Sequence, residues 1–129
     1  RAYGPEVKKG QWNVNSEISI KRKLINTRIP KSFVDKHVHL YKGYFEDSLP
    51  KIDKDLKISL LNLDVDLYNS YKTCLEELYD KVIDGGIVCF DEYQSDKWTG
   101  AKKAIDDFAK IKNIEVHIDT LSGQAFFLK

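Results

Sequence analysis

The segment ISLLNLDVDLYNSYKTCLEELYDKVIDGGIVCFDEY, residues 58–93, decides the fold of this chain. It contains two nearly unbroken apolar runs, Ile58–Leu63 and Ile87–Phe90, which are typical of strands covered on both faces of a parallel sheet. Between them lies a helical pattern, with one apolar face formed by Tyr71, Leu75, Leu78 and Val82. A strand, a helix and a strand of this length predict two parallel, adjacent strands joined by a right-handed crossover.

The ends of this helix and the segments after it complete the predicted sheet. We expect Asn69 or Ser70 to cap the start of the helix and Gly85-Gly86 to close its end. A second helix is predicted after a Thr99 cap, with an apolar face formed by Ala101, Ala104, Ile105, Phe108 and Ile111. Two further strands, Ile114–Asp119 and Gln124–Leu128, are predicted to pair as an antiparallel hairpin. The fold class is therefore α/β, with a mostly parallel sheet and a C-terminal antiparallel hairpin.

The N-terminal third has weaker patterns. Residues 1–16 predict a surface loop, because they are rich in Gly and Asn and show little periodicity. An amphipathic helix is predicted from Ser16 to about Arg28, ended by Pro30. The alternation of His37–Tyr41 predicts an edge strand. We therefore expect the ordered α/β part to cover residues 37–129.

Composition and charge exclude several classes of protein. The chain has 129 residues, 42% hydrophobic and 32% charged, which is too apolar for a disordered protein. Its 21 basic and 20 acidic side chains give a net charge of +1, so no global field favours nucleic acid or an anionic membrane. No apolar run approaches the roughly 20 residues that cross a bilayer, and no signal peptide opens the chain. These features predict a cytoplasmic protein.

Acidic side chains follow both central strands at the point where each strand ends. Asp64 and Asp66 come after the first strand, and Asp91 and Glu92 come after the second. Ligands of open α/β sheets bind outside the carboxyl ends of the strands. Four carboxylates at one edge would repel one another unless an ion or protons neutralised them, and oxygen ligands favour magnesium or calcium over zinc. The alternative is that these acids cap the turns and helices that follow.

Three segments together resemble the macrocin O-methyltransferase (TylF) family of S-adenosylmethionine-dependent enzymes. They are LLNLDVDLYNSYKTCLEELYDKVIDGGIVCFDEY, residues 60–93, WTGAKKAIDDF, residues 98–108, and KGYFEDSLP, residues 42–50. The resemblance covers about residues 37–110, and the combination of LDVDLY with GGIVCFDEY is its most specific part. It implies a class I methyltransferase (Rossmann-like) fold that uses S-adenosylmethionine and Mg2+.

The resemblance also implies roles for particular residues. Asp64, Asp91 and Glu92 match the metal-ligand positions of the family, which usually has Asp-Asp or Asp-Asn where this chain has Asp91-Glu92. Asp66 would lie beside the cofactor, although a shift of one residue in this loop would exchange the roles of Asp64 and Asp66. Gly43 and Tyr44 match a loop that faces the adenine and are expected to contact the cofactor. No residue is singled out as a general base.

The function implied by the resemblance is methylation of a hydroxyl group on a sugar or another small molecule, by a homo-oligomeric enzyme without a nucleic-acid or membrane partner. The family's glycine-rich loop has no counterpart here, so we expect these residues to be the C-terminal portion of one methyltransferase domain, unstable and inactive by itself. Two alternatives stay open. A nucleotide-sugar glycosyltransferase also places Asp-x-Asp after an apolar strand, and a degenerate α/β domain would bind no metal.

Overall fold

The computed structural model describes residues 15–129, and most of the loop predicted for residues 1–16 lies outside this part. The described residues belong to two compact units, residues 15–44 and residues 45–129. None of the described helices is long and apolar enough to cross a membrane.

The first unit begins with helix α1, Glu17–Asn26. Ser16 caps it: the Ser16 hydroxyl accepts a hydrogen bond from the Ser19 backbone N–H at 3.1 Å, and the Ser19 hydroxyl accepts one from the Ser16 N–H at 3.0 Å. This reciprocal arrangement satisfies two amide donors that the first turn of a helix leaves without partners. The helix predicted from Ser16 is therefore confirmed, and it ends shortly before Arg28, which takes a left-handed φ of 69°.

The edge strand predicted for His37–Tyr41 is wrong. Lys31–His37 form a second helix, α2, and residues 38–41 form no strand. Pro30, with a φ of −56°, stands directly before the first turn, and Lys31 pairs with Asp35 one turn later. The ion pair between residues four apart stabilises the helix, and Pro30 precedes it without removing an amide donor from its interior. Alternating polarity alone does not make a strand, because the backbone groups of a strand also need hydrogen-bond partners on a neighbouring strand.

The second unit contains a four-stranded mixed sheet. Its strands are β1 (Ile58–Leu63), β2 (Val82–Phe90), β3 (His117–Ile118) and β4 (Ala125–Leu128), in the spatial order β1-β2-β4-β3. β1 and β2 are parallel and adjacent, whereas β4 runs antiparallel to both β2 and β3. The predicted α/β fold with a parallel pair and a C-terminal antiparallel hairpin is confirmed.

Five helical segments accompany this sheet. The short helix α3 (Phe45–Ser48) and a 3₁₀ turn (Leu49–Lys51) precede it. Helix α4 (Tyr68–Leu78), followed by a second 3₁₀ turn (Tyr79–Lys81), connects β1 to β2, and α5 (Thr99–Lys112) connects β2 to β3. Buried side chains of α4 and α5 and of one sheet face form the core: Tyr71, Leu75, Ile105, Leu63, Val88, Phe90 and Phe127. The opposite sheet face, with Leu60, Ile87 and Leu128, is exposed in the described part of the chain.

The elements differ from the predictions in several places. Thr99 is the first residue of α5 and does not cap it, Val82 begins β2 and is not part of the helix, and the strand predicted for Ile114–Asp119 covers only His117–Ile118.

α4 begins at Tyr68, so Asn69 and Ser70 lie inside the helix and do not cap it. Gly85-Gly86 lie within β2, because a 3₁₀ turn already ends the helix and Gly85 and Gly86 exchange backbone hydrogen bonds with Lys129. Ile111 is 79% exposed and does not belong to the apolar face of α5.

Candidate metal centre

The parallel pairing of β1 and β2 sets the position of the acidic residues. Leu63 pairs with Phe90 in the register, so the next residues of both strands, Asp64 and Asp91, leave the sheet side by side. The Asp91 backbone N–H also donates to the Leu63 carbonyl oxygen at 3.0 Å, which continues the ladder one residue past the strand. The register of the sheet therefore holds the two aspartates at the same edge.

Three carboxylates converge at this edge. Each of Asp64, Asp91 and Glu92 offers one carboxylate oxygen, and these three oxygens lie within 4.8 Å of one another. Asp64 and Asp91 are exposed, whereas Glu92 is only 4% exposed. We call these three residues the carboxylate cluster. They are the residues that the sequence analysis associated with a metal.

The buried carboxyl of Glu92 is contacted by Tyr71 of helix α4. The Tyr71 hydroxyl is within hydrogen-bonding distance of Glu92 Oε2 and lies 2.9 Å from the Leu63 carbonyl oxygen. The Glu92 backbone N–H points to the same hydroxyl at 3.5 Å. Tyr71 is fully buried, so these contacts exclude water. Burial of such a polar group is tolerated because its hydroxyl has hydrogen-bond partners.

The loop after β1 brings Asp66 against the same carboxyl. Its backbone N–H donates to Glu92 Oε2 at 3.3 Å. The Leu67 N–H donates to the Val65 carbonyl oxygen at 2.6 Å, and Asp66 between them has a φ of 57°. A three-residue turn with a positive φ is rare and strained, and aspartate is among the residues that tolerate it best. The strained turn aims the amide of Asp66 at the carboxylate cluster.

The electrostatics of the site follow from burial and from like charges. Burial raises the pKa of Glu92 to about 7; the Tyr71 hydrogen bond opposes this rise, and the Asp64 carboxyl and the charge of Asp66 add to it. Partial burial also raises the pKa of Asp66, with Asp64 contributing and Lys97 opposing. Acids that neighbour acids in this way favour a bound cation or retained protons.

The donor set of the carboxylate cluster fits a hard divalent cation. All three ligands are carboxylate oxygens, which Mg2+ and Ca2+ prefer, whereas zinc sites use histidine nitrogen or cysteine sulfur more often. None of the ion pairs found within residues 15–129 involves these three side chains. The three carboxyl groups are therefore not engaged in ion pairs with described residues and lie close enough together to bind one cation.

Two predicted cofactor contacts lie in the first compact unit, and one residue that contacts the carboxylate cluster was not predicted from the sequence. Gly43, with a φ of 149°, and the exposed Tyr44 lie in the unit of residues 15–44. Tyr71 was predicted only as part of an apolar helix face, and its contact with Glu92 was not predicted. A tyrosine on a buried helix face is a signal of such a contact, because a buried phenol hydroxyl usually finds a polar partner.

Comparisons with known proteins relate this chain to a family. The sequence profile of the macrocin-O-methyltransferase (TylF) family matches residues 5–129. The 8-demethyl-8-(2,3-dimethoxy-alpha-L-rhamnosyl)-tetracenomycin-C 4'-O-methyltransferase of Streptomyces olivaceus is 30% identical over 94 residues, 73% of this chain and 34% of that protein. The demethyldecarbamoylnovobiocin O-methyltransferase of Streptomyces niveus is 36% identical over 75 residues, 58% of this chain and 28% of that protein. The chain thus matches about a third of the length of these curated relatives.

Solved structures agree with this relationship. The O-methyltransferase NovP superposes with a TM-score of 0.75 at 28% identity, over 88% of this chain and 45% of that chain. The calicheamicin methyltransferase CalS11 superposes with a TM-score of 0.75 at 21% identity, over 97% of this chain and 52% of that chain, and this second likeness concerns the fold alone. The chain spans about half the length of both structures, and the predicted class I methyltransferase fold is confirmed.

Proposed function

The chain belongs to the macrocin O-methyltransferase (TylF) family, and from this membership we propose that the protein is an S-adenosylmethionine- and Mg2+-dependent O-methyltransferase. Its acceptor is a hydroxyl group of a sugar or another small molecule. Two relatives are named for O-methylation of a rhamnosyl-tetracenomycin and of a demethyldecarbamoylnovobiocin, which supports this class of acceptor.

The observation that carries the metal part of the proposal is the carboxylate cluster. Asp64, Asp91 and Glu92 come from the ends of two adjacent parallel strands, and their oxygens lie within 4.8 Å of one another. Capping of the following segments would not require all three side chains to face the same point. Converging carboxylates destabilise a folded protein by mutual repulsion, and a bound cation would offset that repulsion.

The residues of the cluster differ in what they offer to the reaction. S-Adenosylmethionine supplies the methyl group, and a bound divalent cation supplies orientation and acidification of the acceptor hydroxyl. Asp64 and Asp91 are exposed and would hold the cation from the solvent side, where an acceptor can approach. Glu92 is buried and would hold it from the protein side. Holding reacting groups close together contributes several kcal/mol to lowering the barrier.

A calorimetric titration of the full-length protein, extended upstream of residue 1 to its natural start, with S-adenosylhomocysteine, with and without Mg2+, tests the proposal. We expect micromolar binding of S-adenosylhomocysteine. We also expect Asp64→Ala and Asp91→Ala to abolish the Mg2+ dependence of methyl transfer to a deoxysugar acceptor. Asp80→Ala is the matched control, because Asp80 is 82% exposed and precedes β2 at the other end of that strand.

Two outcomes would overturn the proposal. A well-folded chain that binds a uridine nucleotide and no S-adenosylhomocysteine would indicate a glycosyltransferase. Methyl transfer that is unaffected by a chelator and by both alanine variants would remove Mg2+ from the mechanism, and the acids of the cluster would then be structural caps.

A further inference from the structure

Tyr71 is a core residue whose hydroxyl reaches the carboxylate cluster. It lies in the first turns of α4 and is fully buried, and its ring packs against Phe90 at a centroid distance of 6.2 Å. Its hydroxyl contacts the Leu63 carbonyl oxygen and both the backbone N–H and the carboxyl of Glu92. One side chain therefore joins the end of β1, the segment after β2 and the buried acid.

The Glu92 carboxyl is restrained on one oxygen. Both the Tyr71 hydroxyl and the Asp66 backbone N–H contact Oε2, the latter at 3.3 Å. A glutamate has more rotatable bonds than an aspartate, and ordering such a side chain costs up to about 2 kcal/mol of conformational entropy. Two contacts on Oε2 reduce the freedom that binding would otherwise have to remove.

We propose that Tyr71 is a positioning residue of this site, which holds Glu92 where its carboxylate joins those of Asp64 and Asp91 around one divalent cation. The inference rests on the metal site of the proposed function. Tyr71 itself does not contact the cation. It fixes the longer arm of Glu92, and a ligand that is already in place loses less freedom when the cation binds.

Binding of Mn2+ or Mg2+ alone to the full-length protein, measured by isothermal titration, tests the inference without reference to methyl transfer. We expect Tyr71→Phe to raise the Kd for Mn2+ about tenfold, equivalent to about 1.4 kcal/mol. In methyl-transfer assays the same variant should raise the KM for Mg2+ and leave kcat at saturating Mg2+ nearly unchanged. Tyr79→Phe is the matched control, because Tyr79 follows the other end of α4 and packs against Phe108 and Phe127.

A double-mutant cycle separates positioning from packing. If Tyr71 acts through Glu92, Tyr71→Phe has no further effect on the Kd for Mn2+ once Glu92 is replaced by Gln. A loss of stability in Tyr71→Phe with an unchanged Kd would show that Tyr71 is a packing residue only, and the inference would be wrong. Tighter Mn2+ binding by Tyr71→Phe would also overturn it, since Tyr71 would then withdraw Glu92 from the cation.

A measurement on the unsubstituted tyrosine keeps the inference testable if Tyr71→Phe does not fold. Addition of Mg2+ to the wild-type chain should perturb the tyrosine ultraviolet difference spectrum, and Glu92→Gln should abolish that perturbation. A spectrum that Mg2+ does not change, in a chain that binds Mg2+, contradicts the inference alone. A chain that binds neither Mg2+ nor Mn2+ contradicts the metal site of the proposed function, and the inference fails with it.

Discussion

The two ends of strand β2 differ in the charged groups that surround them and in the partners of those groups. At its carboxyl end, the carboxyl groups of Asp91 and Glu92 lie close to that of Asp64, so groups of the same charge are neighbours. At its amino end, the Lys129 ammonium donates to the carbonyl oxygens of Tyr79 at 3.1 Å and Val82 at 2.8 Å. Lys81 likewise donates to two backbone carbonyls of the loop at residues 53–54.

This difference separates a stabilising edge from a functional edge. A lysine at the end of a helix satisfies carbonyl groups that have no partner in the helix and complements the negative end of its dipole. The amino edge therefore lowers the free energy of the folded chain. The carboxylate cluster raises it in the absence of a cation, because the cluster gathers like charges and buries one of them. Substitutions in the carboxylate cluster should therefore lower methyl transfer, whereas substitutions at the amino edge should lower the stability of the fold.

The largest expected contrast is in activity. Asp91→Ala removes one of the converging oxygens and should lower methyl transfer at least about 100-fold, with a matching loss of Mn2+ affinity. Asp80→Ala, at the amino edge, should leave both quantities within a factor of two. Initial rates at several Mg2+ concentrations measure the effect. Equal losses in the two variants would mean that the cluster has no special role.

The next contrast is the pH dependence of stability in the metal-free protein. Burial raises the pKa of Glu92 to about 7 from 4.5, so the folded chain keeps a proton that the unfolded chain loses. This contribution to the free energy of unfolding is fully present below pH 4.5. It is lost as the pH rises through about 7, with a total of up to about 3 kcal/mol.

Urea unfolding with a chelator at pH 5 and at pH 7.5 measures this loss. Glu92→Gln cannot ionise, so we expect its free energy of unfolding to fall less over this range than that of the wild type. Asp80→Asn provides the control and should keep the wild-type pH dependence. The same pH dependence in Glu92→Gln as in the wild type would show that other groups cause the loss.

A smaller effect is expected at the amino edge itself. Lys129→Met keeps the aliphatic stem and removes the ammonium that contacts the carbonyls of Tyr79, Asp80 and Val82. Leaving these acceptors without the charged donor should cost about 1–2 kcal/mol of unfolding free energy at any pH between 5 and 8. Thermal and urea unfolding measure it. A stability equal to that of the wild type would show that water replaces the ammonium fully.

The smallest effect concerns the exposed ion pair at the same edge. Asp80 and Lys112 approach to 3.8 Å, and the Asp80 side chain is 82% exposed. Asp80→Asn should change the unfolding free energy by less than about 0.5 kcal/mol, and the difference should vanish in concentrated salt. An effect above about 1 kcal/mol would place this pair among the structural contacts of the edge.

Much of the sheet could be predicted because its signals are local. The apolar runs at Ile58–Leu63 and Ile87–Phe90 identify buried strands, and the spacing of Tyr71, Leu75 and Leu78 identifies the helix between them. The aspartates at the carboxyl edge followed from the same reasoning, since parallel strands end at a common edge. Helix α2 was missed because its seven residues contain one buried side chain, Val34, and so carry no apolar periodicity.

The sequence by itself determined the order of the elements from β1 to β4, the family and the acids that converge, because each of these depends on residue type and spacing. Tertiary structure alone decided that Glu92 is buried, that Asp66 takes a strained turn and that Tyr71 meets Glu92 across 21 positions of sequence. Helical periodicity places Tyr71 on an inward face but leaves its partner undefined. Only the register of β1 against β2 and the packing of α4 bring that hydroxyl to the buried acid.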